Sequence, residues 1–140
     1  MVKRKALAVA TGLAMAAALC ATFACGGNPA GASATITEPA FTGTLGVGGS
    51  VSVPFNVTKT GVVTLNVTQF GPDTNPFGVG IGQLASSNGV VTCVTEATQT
   101  VTVNDPVSFG GIVAGTYCAV IYDIGYVTQN DTFSMTITHS

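Results

Sequence analysis

From residue 50 onward, apolar side chains recur at every second position. Val51, Val53, Phe55 and Val57 alternate with Ser50, Ser52, Pro54 and Asn56. Val63, Leu65 and Val67 alternate with Thr64, Asn66 and Thr68, and Phe77, Val79 and Ile81 alternate with glycines. Val101 and Val103 follow the same rule, as do Phe133, Met135 and Ile137 among Thr132, Ser134, Thr136 and Thr138. A strand turns successive side chains to opposite faces, so each run buries one face and wets the other. Turn-forming clusters separate the runs: Gly48-Gly49, Lys59-Thr60-Gly61, Gly71-Pro72-Asp73, Ser87-Asn88-Gly89, Asn104-Asp105-Pro106 and Ala114-Gly115. The pattern predicts an all-β antiparallel sandwich or barrel of about eight short strands over residues 35–140. Pro54 cannot donate to a ladder, so its strand is expected at a sheet edge.

Charge is scarce and unevenly placed. Charged residues make up 7% of the chain, against about 25% in ordinary globular proteins. Threonine on the exposed strand faces supplies the solubility that charge does not. Lys3, Arg4 and Lys5 leave only Lys59 downstream, whereas all six acids lie beyond the N-terminal segment. Without that segment the formal charge is 1 − 6 = −5. Such a surface repels phosphate backbones, so no nucleic-acid partner is expected.

Residues 1–25 read as a bacterial export signal: a basic start, an Ala-rich apolar run from Ala6 to Cys25, and small residues at its end. Thr22-Phe23-Ala24-Cys25 resembles the lipobox of bacterial lipoproteins, with Gly26-Gly27-Asn28 following. It departs at Thr22, where that family usually has Leu, and at bulky Phe23. The resemblance implies lipidation at Cys25 and attachment to the membrane through an N-terminal lipid. Cleavage after Ala32-Ser33-Ala34 is the alternative, and would release a secreted protein. Residues 26–34, rich in Gly, Ala, Ser, Asn and Pro, read as a flexible tether. The expected location is therefore the bacterial cell envelope, lipid-anchored, or the exterior.

Export bears on the cysteines. Cys93 and Cys118 sit in two separate strand-like runs, VVTCVTEA and GTYCAVIYD. In an oxidising compartment they are expected to form a disulfide. Free thiols are the alternative; two cysteines with no nearby histidine make a poor zinc site.

The run GTYCAVIYD, Gly115 to Asp123, resembles a strand of the bacterial pre-peptidase C-terminal (PPC) domain family. GGSVSVPFNVTKTGVVTLNVTQF is similar to that family's preceding strands. The resemblance spans about Phe41 to Thr138 and implies a jelly-roll-like sandwich without catalytic residues of its own. Members usually follow a secreted peptidase or glycosidase and assist secretion, folding or substrate attachment. Behind a signal and tether, a free-standing or lipid-tethered module is expected instead.

Catalytic groups are few. The only histidine, His139, is expected at a frayed terminus, a poor place for a general base. No Gly-x-Ser-x-Gly elbow occurs, and the six acids are scattered, mostly in turns. Gly78, Gly80 and Gly82 read as close packing on a strand face rather than a dinucleotide loop. The expectation is a non-enzymatic envelope module with a structural or interaction role and no cofactor, partnered by an envelope protein or a glycan. The alternative is a weak carbohydrate- or calcium-binding accessory module. For that role Asp105 and Asp123 are the Ca²⁺ candidates. Tyr126, in a loop, is the candidate for stacking on a sugar, while alternation sets Tyr117 and Tyr122 on opposite faces.

Overall fold

A computed structural model describes residues 34–140. The export signal, Cys25 and all but the last tether residue lie outside the described residues. Nine strands follow one another: β1 (Ile36–Thr37), β2 (Phe41–Leu45), β3 (Ser50–Val57), β4 (Gly61–Gly71), β5 (Phe77–Ser87), β6 (Val90–Val101), β7 (Val107–Ile112), β8 (Gly115–Tyr122) and β9 (Asp131–His139). All pair antiparallel. They form one sheet in the order β1-β9-β4-β7, with β2 also on β9, and a second in the order β3-β8-β5-β6.

The pairings are nested. β5 pairs β6, β4 pairs β7, β3 pairs β8 and β2 pairs β9. The chain is thus one long antiparallel ribbon rolled up on itself, with lateral pairs β9·β4 and β8·β5 closing the roll. This is the eight-strand jelly roll, led by the two-residue β1. Asn88 (φ 51°) and Gly89 (φ 79°) make the innermost turn. Two consecutive positive φ values match the right-handed twist of the strands they join.

Alternation does what the sequence predicts. Val63, Leu65 and Val67 of β4 and Phe133, Met135 and Ile137 of β9 are buried against Phe77, Val79 and Ile81 of β5 and Tyr117, Ala119 and Ile121 of β8. Phe70 stacks on Phe77 with ring centroids 4.4 Å apart. Pro54 lies in β3, an edge strand as expected. Two readings are corrected in detail. VVTCVTEA and the run through Val101 are one twelve-residue strand, β6. His139 is not frayed: it is 2% exposed, its backbone pairs with Ile36, and its Nε2 lies 2.9 Å from Glu38 Oε1. The β1 pairing and the Phe55 ring beside it hold the end of β9 in place.

The disulfide between Cys93 and Cys118 is formed. Their strands are not neighbours, because β5 lies between β6 and β8. Strands two places apart stand roughly 9–10 Å from each other, beyond the reach of a disulfide. The Cα atoms are nevertheless 5.9 Å apart. A bulge makes this possible. Ile81 faces Ala97 but Gly82 faces Thr95, leaving Glu96 as the extra residue. A bulged strand bends, and β6 leans over the outer face of β5. A Cβ on Gly82 would run into the Val94 carbonyl, and one on Gly80 would stand 2.6 Å from the Ala97 oxygen. The glycine alternation in β5 is the space through which β6 reaches β8.

Candidate functional site: a groove on the four-stranded sheet

The leaning of β6 raises a wall on the outer face of the β3-β8-β5-β6 sheet. Between this wall and β3 lies a groove of about 670 Å³, within the roughly 300–1,000 Å³ of ligand pockets. Ser50 and Ser52 of β3 form one side, Val91, Thr92, Cys93, Thr95 and Thr98 of β6 the other, with Val120 and Tyr122 of β8 between them. No lining residue carries a charge.

Register explains the floor. One row across the sheet runs Ser52–Val120–Gly80–Thr98, and a second Ser50–Tyr122–Gly78–Thr100. In each row a glycine leaves room for what packs over it: the Tyr122 ring over Gly78, and the Ala97 carbonyl with the Thr95 and Thr98 methyls over Gly80. Cζ, Cε1 and Cε2 of Tyr122 are nearly equidistant from the place a Gly78 Cβ would occupy. That geometry requires the Tyr122 ring to lie flat across Gly78. Tyr117 points into the core and Tyr122 outward, as alternation predicts.

Asp123, the next residue, fixes the end of β8. Its Oδ2 accepts the Gly48 N–H at 2.8 Å. Its Oδ1 accepts N–H groups of Gly125, Tyr126 and Val127 at 2.7, 2.9 and 3.0 Å. Its own N–H donates to the Gly49 carbonyl at 3.0 Å. These backbone donors, Val127 and Gly48 foremost, hold its carboxyl at a pKa of about 2. A second aspartate ties the neighbouring loops. Asp73 Oδ2 accepts the N–H and hydroxyl of Thr128, both at 2.9 Å, which lowers its pKa. The Asp73 N–H donates to Oδ1 of the fully buried Asp131 at 2.9 Å.

The three ligand candidates read from the sequence fall outside the groove. Asp105 lies in the β6–β7 turn, where its N–H bonds the Thr102 carbonyl. Asp123 spends its oxygens on backbone donors. Tyr126 is 57% exposed, on a loop that Asn75 holds through its bond to the Tyr126 carbonyl. Among the described residues no group of three or more His, Cys, Asp or Glu is placed to hold a metal ion. Sequence reasoning passed over Tyr122 as a ligand contact. Alternation turns Tyr122 outward, but the glycine strand beside it is supplied by the strand order, which alternation does not give.

No protein-family model matches the chain, and no curated protein is similar to it.

Proposed function

We propose that this protein is an exported, non-enzymatic binding module of a bacterial cell envelope, anchored by lipid at Cys25, that engages its ligand through the groove beside Tyr122. The groove itself carries the reading: a walled, uncharged cleft on the surface, supported from below by backbone and braced by a disulfide. The Cys93–Cys118 bond fits an oxidising compartment outside the cytoplasm. The jelly-roll order is the architecture implied by the PPC resemblance, and a tethered accessory domain is the role that resemblance suggests. A binding rather than catalytic role is favoured because the groove offers hydroxyls, valines and one aromatic ring, without a general base among its lining residues. His139, tied to Glu38, belongs to a different part of the sandwich.

Thermal unfolding of the exported protein with envelope polysaccharides, with envelope protein fractions, and with Ca²⁺ or EDTA tests this. A ligand held only by the native state adds about 2.7 kcal/mol at a hundredfold excess over its dissociation constant. The expected result is a rise in Tm with a polysaccharide or a protein fraction that Ser52→Arg, which fills the groove, abolishes. A shift that Ser52→Arg leaves intact would place binding elsewhere. A Ca²⁺ shift lost in Asp105→Asn would restore the calcium reading. An acyl adduct on Cys25 in the intact mass is expected; mature protein starting at Thr35 would instead indicate a secreted form.

A further inference from the structure

We infer that the groove takes a neutral glycan chain and that Tyr122 is the platform on which a sugar ring stacks. This rests on the groove being the binding surface, and names what it binds. One face of the Tyr122 ring lies flat on Gly78, and Tyr122 lines the groove. A ring held flat by the backbone beneath it has little rotamer freedom left to lose on stacking. The apolar face of a sugar ring is the matching surface. Ser50, Ser52, Thr95 and Thr98 surround it, and each hydroxyl can both donate and accept. That ambivalence suits sugar hydroxyls, which do the same.

The lining also says what is kept out. A charged ligand would lose hydration in a groove that offers no countercharge, and a net formal charge of −5 downstream of the signal repels polyanions. A peptide adding as a strand needs unpaired backbone. The floor strands β8 and β5 are paired on both sides, so the floor of the groove offers no free ladder to such a peptide. Hydroxyls, one ring face and two valines are what the lining offers, and hydroxyls beside an apolar ring face match the surface of a sugar.

Affinity electrophoresis of the exported protein, solubilised in detergent, through gels containing a β-glucan, a mannan or a xylan tests the inference, with polygalacturonate as the charged control. Retardation by at least one neutral polysaccharide and none by polygalacturonate is expected. Tyr122→Ala should weaken binding about tenfold or more, Tyr122→Phe should retain most of it, and Tyr126→Ala should change nothing. Ser52→Arg occupies the groove from an exposed edge position and should abolish retardation, so the outcome does not hang on the folding of Tyr122→Ala. No retardation by any neutral polysaccharide overturns the inference. Capture of an envelope protein that Ser52→Arg prevents would then leave the groove reading standing, whereas binding of any kind insensitive to both Tyr122→Ala and Ser52→Arg would remove both. Loss on Tyr126→Ala alone would move the platform to the loop and overturn the assignment to Tyr122.

Discussion

Asp123 shows how one side chain can organise an end of the sandwich. Its carboxylate gathers four N–H groups from two loops that have no ladder to join, and so sets the exit angle of the chain just after Tyr122. Folding lowers its pKa from 3.8 to about 2, so the folded state prefers the ionised form. The stability this gives is complete above the unfolded value and drains away as the pH falls from 3.8 towards about 2. Asp73, lowered chiefly by Thr128, adds in the same direction. The expected outcome is a Tm that falls across this acid window, with Asp123→Asn lowering Tm at neutral pH and flattening the acid limb; an unchanged slope in the variant would assign the acid sensitivity to other groups. Residue roles were the least legible part of the sequence. Aspartate beside a turn can be a calcium ligand, although bonding backbone donors is its commoner use; the positions of Gly48 and Val127 show Asp123 doing the latter. Tyr122 lies on an alternating strand and Tyr126 in a loop, yet what makes Tyr122 a platform is the glycine of the neighbouring strand, which the local sequence does not place.

At the scale of the element, β5 and β6 depart from a regular hairpin in a way that three glycines permit. Gly82→Ala places a methyl against the Val94 carbonyl. Overpacking of this kind costs about 1–3 kcal/mol. If β6 can no longer lean over β5, the disulfide is lost as well, removing about 3 kcal/mol more for a closed loop of 25 residues. Urea unfolding together with thiol titration checks this, and free thiols should appear in Gly82→Ala but not in Gly110→Ala, whose added Cβ meets nothing within 4 Å. Intact oxidation and unchanged stability in Gly82→Ala would mean that the bend does not depend on the glycine. The sequence made these strands legible through their alternation, and it marked the glycines as a packed face. It did not reveal that β6 is continuous, because the bulge at Glu96 shifts the phase of its alternation and a phase shift reads as a break.

For the whole molecule, the roll brings residues from opposite ends of the domain into one ladder, with Ile36 opposite His139 and Phe41 opposite Met135. Folding dominated by such distant pairings is slow, in the millisecond-to-second range typical of all-β domains. β9 sits inside its sheet, between β2 and β4, and Phe133 packs over Gly43 and beside Phe41. Phe133→Ala should therefore cost about 3–5 kcal/mol, measured by urea denaturation. A cost below 1 kcal/mol would show that β9 contributes little to the core. The fold class was legible because burial on one face of each strand imposes a period of two whatever the connection. The nesting of the strands was not, since every order of eight alternating runs satisfies the same local pattern, and the jelly-roll expectation came from the resemblance of GTYCAVIYD and its neighbours.

The short β1 has a mechanical consequence. Under the proposed anchoring at Cys25 and the proposed glycan binding in the groove, tension would arise between the two whenever they move apart. That tension enters the domain at Thr35. Only two ladder pairs, the Glu38 N–H bond to Ile137 and the contact between Glu38 and His139 stand between it and the five pairs of β2. β1 is thus the first part to peel, and its release pays out slack of about 3.3–3.6 Å for each residue freed. The core, the disulfide and the groove all lie behind the next ladder, so under that anchoring a sudden load would be taken up by lengthening of the tether before it reached the groove.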